Sequence, residues 1–236
     1  MSPEAVACRL RDLLIERLGS DVAAIWLYGA TTFGHQAIDV DLHIVLERQL
    51  TPDEWNAVRT IHDHLVEKSS FPHEDLDFWY ILLSDAKGSS NPRHLAPWAN
   101  GLMDEHWALH RAHWLAGQRK IIHGPDPENI VQPPTWQQLE STLRRELERP
   151  APSDPSPYWV LQLVRVWASL ETRDVVRSKL DSAAWALERL PREYHAIVEA
   201  ATRFYRRSFK SGDERLIAVA FPMFLEEIKC RVRSNS

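Results

Sequence analysis

The stretch from Ile25 to Leu46 constrains this chain more than any other. An apolar run over residues 23–28 ends at Gly29, a short polar turn carries a second glycine, Gly34, and a second apolar run opens with Asp39-Val40-Asp41. Residues two apart on a strand point the same way. Asp39 and Asp41 therefore project from one face, while Val40 and Leu42 face the other. Two carboxylates side by side repel each other and are costly to bury unless a cation lies between them. A hard divalent ion such as Mg²⁺ takes such an oxygen site and keeps phosphate oxygens as further ligands. A glycine turn beside the pair lets backbone N–H groups approach a phosphate closely. The segment thus has the form of a site for a nucleoside triphosphate and its metal.

The rest of the chain frames that segment. Ser2-Pro3-Glu4 has the form of a helix N-cap with proline in the first turn, and the helix runs to about Gly19. Thr51 to Glu54 starts a second helix reaching about Lys68, with glutamate placed to close a capping box. Residues 75–83, rich in aromatic and apolar side chains, form a third strand, and 84–100 a loop. A helix is expected over 103–118 and a short strand over 120–124, followed by a proline-rich connection. Beyond it come helices over 135–148, 158–171, 179–190, 193–209 and 214–232, with the proline-rich loop 150–157 between the first two. The expected class is α+β: a small mixed α/β domain over 1–132, then an all-helical domain over 133–236.

Composition narrows the partners. Net charge is −5 over 236 residues with no basic stripe, which argues against nucleic acid as a partner. No apolar run is long enough to cross a membrane. The N-terminus lacks signal-peptide form, and the two cysteines, Cys8 and Cys230, have no metal spacing, so a cytoplasmic protein with reduced thiols is expected. A monomer or weak homodimer is the expected state. Ten tryptophans is a high count, and aromatic faces suit clefts for sugars or bases as well as cores.

Gly29-Ala30, Gly34 and Asp39-Val40-Asp41 resemble the signature of the DNA polymerase β-like nucleotidyltransferases, which carry a Gly-Ser turn and an Asp-x-Asp pair on adjacent strands. Farther on, Arg165-Val-Trp-Ala-Ser-Leu-Glu171 and Arg177 to Pro191 resemble the helical domain of the aminoglycoside adenylyltransferases that modify streptomycin and spectinomycin; the likeness continues to Tyr205. The resemblance spans most of the chain. It implies transfer of AMP from ATP to a hydroxyl of a small molecule such as an aminoglycoside, with Mg²⁺ and release of pyrophosphate.

The resemblance also implies roles for residues. Asp39 and Asp41 are the metal ligands, and Gly29, Ala30, Thr31 and Gly34 hold the phosphates. The third carboxylate, a further metal ligand and the catalytic base, is expected at Asp75, with Asp77 close behind, since both share one strand face. At either position aspartate is one methylene shorter than the glutamate usual in the family. Lys179 and Tyr205 fall at nucleotide-contacting positions. Glu146, Glu148 and Asp154 offer negative charge to a cationic acceptor, although the family's tryptophan is missing from that stretch. Ala30 and Ile38 stand where the family has serines, and each lost hydrogen bond to a charged group costs about 1.5–3 kcal/mol. These departures carry the alternative reading, a diverged nucleotide-binding regulatory protein with weak or no catalysis.

Several histidines accompany these residues. His106, His110 and His113 share a helical face, and the reading favoured for them is packing or surface, with metal binding a minority one, because Trp107 stands where a His-Glu-x-x-His helix needs glutamate. His35 lies in the glycine turn, and His43 shares the aspartates' face.

Overall fold

A computed structural model describes residues 1–34, 39–69, 71–72 and 75–234. The chain divides into two compact units, Met1–Thr135 and Trp136–Ser236. The architecture is the α+β class expected.

The first unit is built on a four-stranded mixed sheet of β1 (Val22–Leu27), β2 (Val40–Leu46), β3 (Leu76–Leu82) and β4 (Lys120–His123). Their order is β3-β2-β1-β4. β1 is antiparallel to β2 and β4, and β2 is parallel to β3. Parallel strands need a crossover, which α2 (Pro52–Lys68) supplies. Alternation sorts the strand side chains between two layers. Ile25, Leu27, Val40, Leu42, Ile44, Phe78 and Tyr80 pack against α1 (Pro3–Leu18) and α2. Ala24, Trp26, Tyr28, Val45 and Ile81 pack on the opposite face with Trp107 and Trp114 of α4 (Trp107–Leu115). By the same alternation Asp41, His43, Asp77 and Trp79 lie on the α4 face.

Local signals explain the helix starts. Ser2 accepts from the Ala5 N–H ahead of α1, with proline in the first turn. Thr51 and Glu54 close the capping box of α2 in both directions. Elsewhere the structure corrects the boundaries. A one-turn helix, α3 (Leu83–Ala86), interrupts the expected loop. α4 starts later than expected because the Asp104 carboxylate accepts from the His106 N–H and its carbonyl from Trp107, which holds the chain in a turn.

The second unit is helical: α5 (Trp136–Glu148), α6 (Pro157–Thr172), α7 (Lys179–Leu187), α8 (His195–Tyr205) and α9 (Asp213–Ser234). α6 is the most apolar, burying Val160, Leu161, Leu163, Val164, Val166 and Trp167. The expected helix over 193–209 opens with a 3₁₀ turn, Arg192–Tyr194, and ends at Tyr205. Beyond it Arg207 has φ 53°, in the left-handed region that ends helices. Arg203 then ties α8 to α9 through a two-point ion pair with the Asp213 carboxylate at 2.6 and 2.9 Å.

Candidate active site

β1 ends at Leu27, and the chain turns through a 3₁₀ helix, Gly29–Phe33, closed by Gly34 at φ 72°. Thr32 Oγ1 donates to the Gly29 carbonyl at 2.8 Å and fixes the turn. Gly29 has φ 76°, and a Cβ on it would lie 1.8 Å from Asp41 Oδ2. Glycine is therefore required here twice over, by its backbone angle and by the carboxylate packed against its Cα. The Tyr28 N–H donates to the Asp41 carbonyl at 3.1 Å, so turn and aspartate are held as one piece.

Across the parallel pairing Asp41 stands directly beside Asp77, as Val40 stands beside Leu76. Asp75 precedes the strand, its N–H bonded to the Pro72 carbonyl at 3.1 Å. The structure thus brings Asp77, rather than Asp75, beside Asp41. Crowding by surrounding protein raises the Asp77 carboxyl above its ordinary range; His110 opposes this, and Asp104 and Asp39 add to it. Four carboxylates surround Tyr28: burial raises its phenol first, then Asp77, Asp41, Asp104 and Asp39. The donors around this turn are oxygens, the set that suits Mg²⁺ and phosphate.

Behind these carboxylates lies a group that the sequence did not assemble. Asp104, 1 % exposed, accepts at one oxygen from His43 Nε2–H (3.2 Å) and His110 Nδ1–H (2.9 Å). Its other oxygen accepts from the His106 N–H at 3.0 Å. The Tyr28 ring lies 5.1 Å from the His43 ring and 4.9 Å from the His110 ring. Among the described residues, three metal-capable side chains converge within 4.8 Å only at His43, Asp104 and His110. His110 is thus part of a hydrogen-bonded network around the buried Asp104 rather than a surface residue, while His113 packs edge-on against Phe33. Asp104 was missed because nothing local marks it: its partner His43 is 61 residues away.

Burial holds the His43 imidazole down at about 4 and does the same to His94. His94 is locked as one neutral tautomer, with Nε2–H donating to the Phe78 carbonyl and Nδ1 accepting from the Ala96 N–H. A histidine neutral when folded takes up its proton in the unfolded chain near 6.5 and in the folded chain only near 4. The unfolded state then binds more protons, so stability rises with pH across that window and falls on acidification through it. Thermal melts from pH 7 to 4 are expected to lose stability with a slope approaching two protons, each about 1.4 kcal/mol per pH unit. A flat profile over that range would contradict this burial of neutral imidazoles.

The other expected site residues lie in the second unit. Lys179 Nζ is 3.3 Å from the Tyr205 hydroxyl and 4.0 Å from the centre of the Tyr158 ring, so the two residues meet and Tyr158 joins them. Glu148 and Asp154 are exposed. Glu146 is not the accessible charge expected: it is buried, with Arg149 at 3.2 Å and Gln162 at 3.4 Å, because its helix face packs inward. His35 and Ile38 lie outside the described residues.

Residues 134–221 match the family model for the aminoglycoside adenylyltransferase C-terminal domain. That stretch of the helical unit carries this family's C-terminal domain. The resemblance read from the helical half is thereby borne out. Among solved structures the chain is similar to the crystal structure of spectinomycin adenyltransferase AAD(9) from Enterococcus faecialis with ATP and spectinomycin. The TM-score is 0.73 at 13 % identity, covering 97 % of this chain and 98 % of that one, a likeness of fold. No curated protein matches the sequence significantly. The domain match and the fold together indicate a nucleotidyltransferase enzyme.

Proposed function

We propose that this protein is a Mg²⁺-dependent adenylyltransferase that moves AMP from ATP to a hydroxyl of an aminoglycoside such as streptomycin or spectinomycin. The observation that carries this reading is the register of Asp41 beside Asp77 with Gly29 packed on the Asp41 carboxylate. Residues 1–132 act as the nucleotidyltransferase domain and 133–236 as the helical domain that serves nucleotide and acceptor. Asp39 and Asp41 hold the metal, and Asp77 completes the carboxylate set, with Asp75 outside the strand. When bound, the metal neutralises charge on the phosphates. Backbone N–H groups from Gly29 to Thr31 orient the phosphates. Lys179 and Tyr205 contact the nucleotide, and the exposed carboxylates Glu148 and Asp154 attract a cationic acceptor.

Pyrophosphate release is measured with ATP, Mg²⁺ and either drug, wild type beside Asp39→Ala. Release that requires both the drug and Asp39 is expected. The second reading, a nucleotide-binding protein with little catalysis, is favoured by Ala30 in the turn, where the family has a serine hydroxyl. Tight ATP·Mg²⁺ binding without turnover of any acceptor would select it.

A further inference from the structure

We propose that His110, oriented by Asp104, is the catalytic base that takes the acceptor's proton, a role that rests on the adenylyl-transfer reading above. Asp104 is buried and binds the Nδ1–H of His110 at 2.9 Å. That bond fixes the tautomer and leaves Nε2 with its lone pair. Among the described residues nothing hydrogen-bonds Nε2, and the His110 side chain keeps 16 % of its surface open. Trp114 stacks against the ring at 25°, and Tyr28 and His43 lie within 5.0 Å of its centre, so the imidazole is held in one plane. The groups facing it are Tyr28 just beyond β1, His43 from β2, Asp77 from β3, and Asp104 and His106 from the approach to α4. His110 lies near enough to Asp77 to act on its carboxyl by charge. A base backed by a buried carboxylate, with its second nitrogen left to accept a proton, is the arrangement used to activate hydroxyls.

Two observations separate this role from its alternatives. As a metal site the cluster is poor: His43 Nδ1 is buried without a partner, whereas a metal-bound imidazole gives its outer N–H to an acceptor. As the base, Asp77 is also poor, since it lies beside Asp41 in the carboxylate set and is shorter than glutamate. In the step proposed, the acceptor O–H bond breaks and its proton passes to His110 Nε2. The oxygen bonds to the α-phosphorus, and the bond from that phosphorus to the bridging oxygen breaks, releasing pyrophosphate. Asp104 stabilises the imidazolium until the proton passes to water.

The test compares adenylyl transfer and ATP·Mg²⁺ affinity in wild type and His110→Asn, which keeps a donor toward Asp104 and lacks Nε2. The expected result is a kcat lowered about 10²–10⁴-fold. Nucleotide affinity is expected to stay within about twofold. A kcat within about threefold of wild type overturns the proposal, as does a parallel loss of nucleotide affinity. The ¹⁵N spectrum of the wild-type imidazoles supplies a readout without turnover: the neutral form of His110 should be the tautomer with its proton on Nδ1. A neutral form protonated on Nε2 instead overturns the proposal whatever the kinetics. A wild type that turns over no acceptor fails the functional reading and the proposal with it; an active wild type beside an equally active variant fails the proposal alone.

Discussion

Gly29→Ala is expected to cut nucleotidyl transfer by about 10²-fold or more while leaving the fold intact, because it moves a carboxylate rather than the core. A Cβ at this position would stand 1.8 Å from Asp41 Oδ2 and 2.8 Å from its Cγ. No real contact is that short, so the Asp41 side chain must swing away. The backbone must also hold alanine at φ 76°, which costs about 1–2 kcal/mol. A displacement of about 1 Å at a group that positions reactants is enough for a loss of that size. Circular dichroism should match wild type, and steady-state pyrophosphate release should collapse. Activity within about threefold of wild type would mean that the Asp41 carboxylate is not a working part of the site.

The second large effect falls on stability. Asp104→Ala removes the acceptor shared by His43, His110 and the His106 N–H, at a carboxylate 1 % exposed. The carboxyl is held far below its ordinary range: burial alone would raise it, but the charge and hydrogen bonds of His110 and then His43 overcome that. Breaking a buried pair by deleting one partner costs about 3–5 kcal/mol, since the remaining donors lose their acceptor without regaining water. For a chain of this size the melting midpoint should fall by about 10 °C. Asp104→Asn keeps an acceptor oxygen and should fall less. A midpoint unchanged by Asp104→Ala would show that the cluster is not a cooperative part of the sheet's α4 face.

Which aspartate stands beside Asp41 shows where a one-dimensional reading stops. Strand alternation places Asp75 and Asp77 on the same side, and both are compatible with the local pattern. Only the parallel pairing of β2 with β3 sets Asp77 level with Asp41 and leaves Asp75 in the turn before the strand. Register across a sheet depends on which hydrophobic faces meet under α1 and α2, and residues near one strand do not specify it. Glu146 teaches the same lesson in reverse. Its charge suggests a surface site, yet its helix face turns it inward against Arg149 and Gln162.

What the sequence determined by itself is local. Ser2 and Thr51 cap the helices that follow them, because their hydroxyls reach backbone N–H groups three residues away. Asp41 and His43 share a side of β2, because a strand alternates with a period of two. The helical half carried its family likeness in Arg165 to Glu171 and Arg177 to Pro191. Tertiary structure decided what depends on distant segments meeting. The sheet and α4 close around Asp104, bringing His43 and His110 from separate parts of the chain onto one buried oxygen. A carboxylate and two imidazoles become a single hydrogen-bonded unit only when water has been removed from around them, and that exclusion belongs to the folded core.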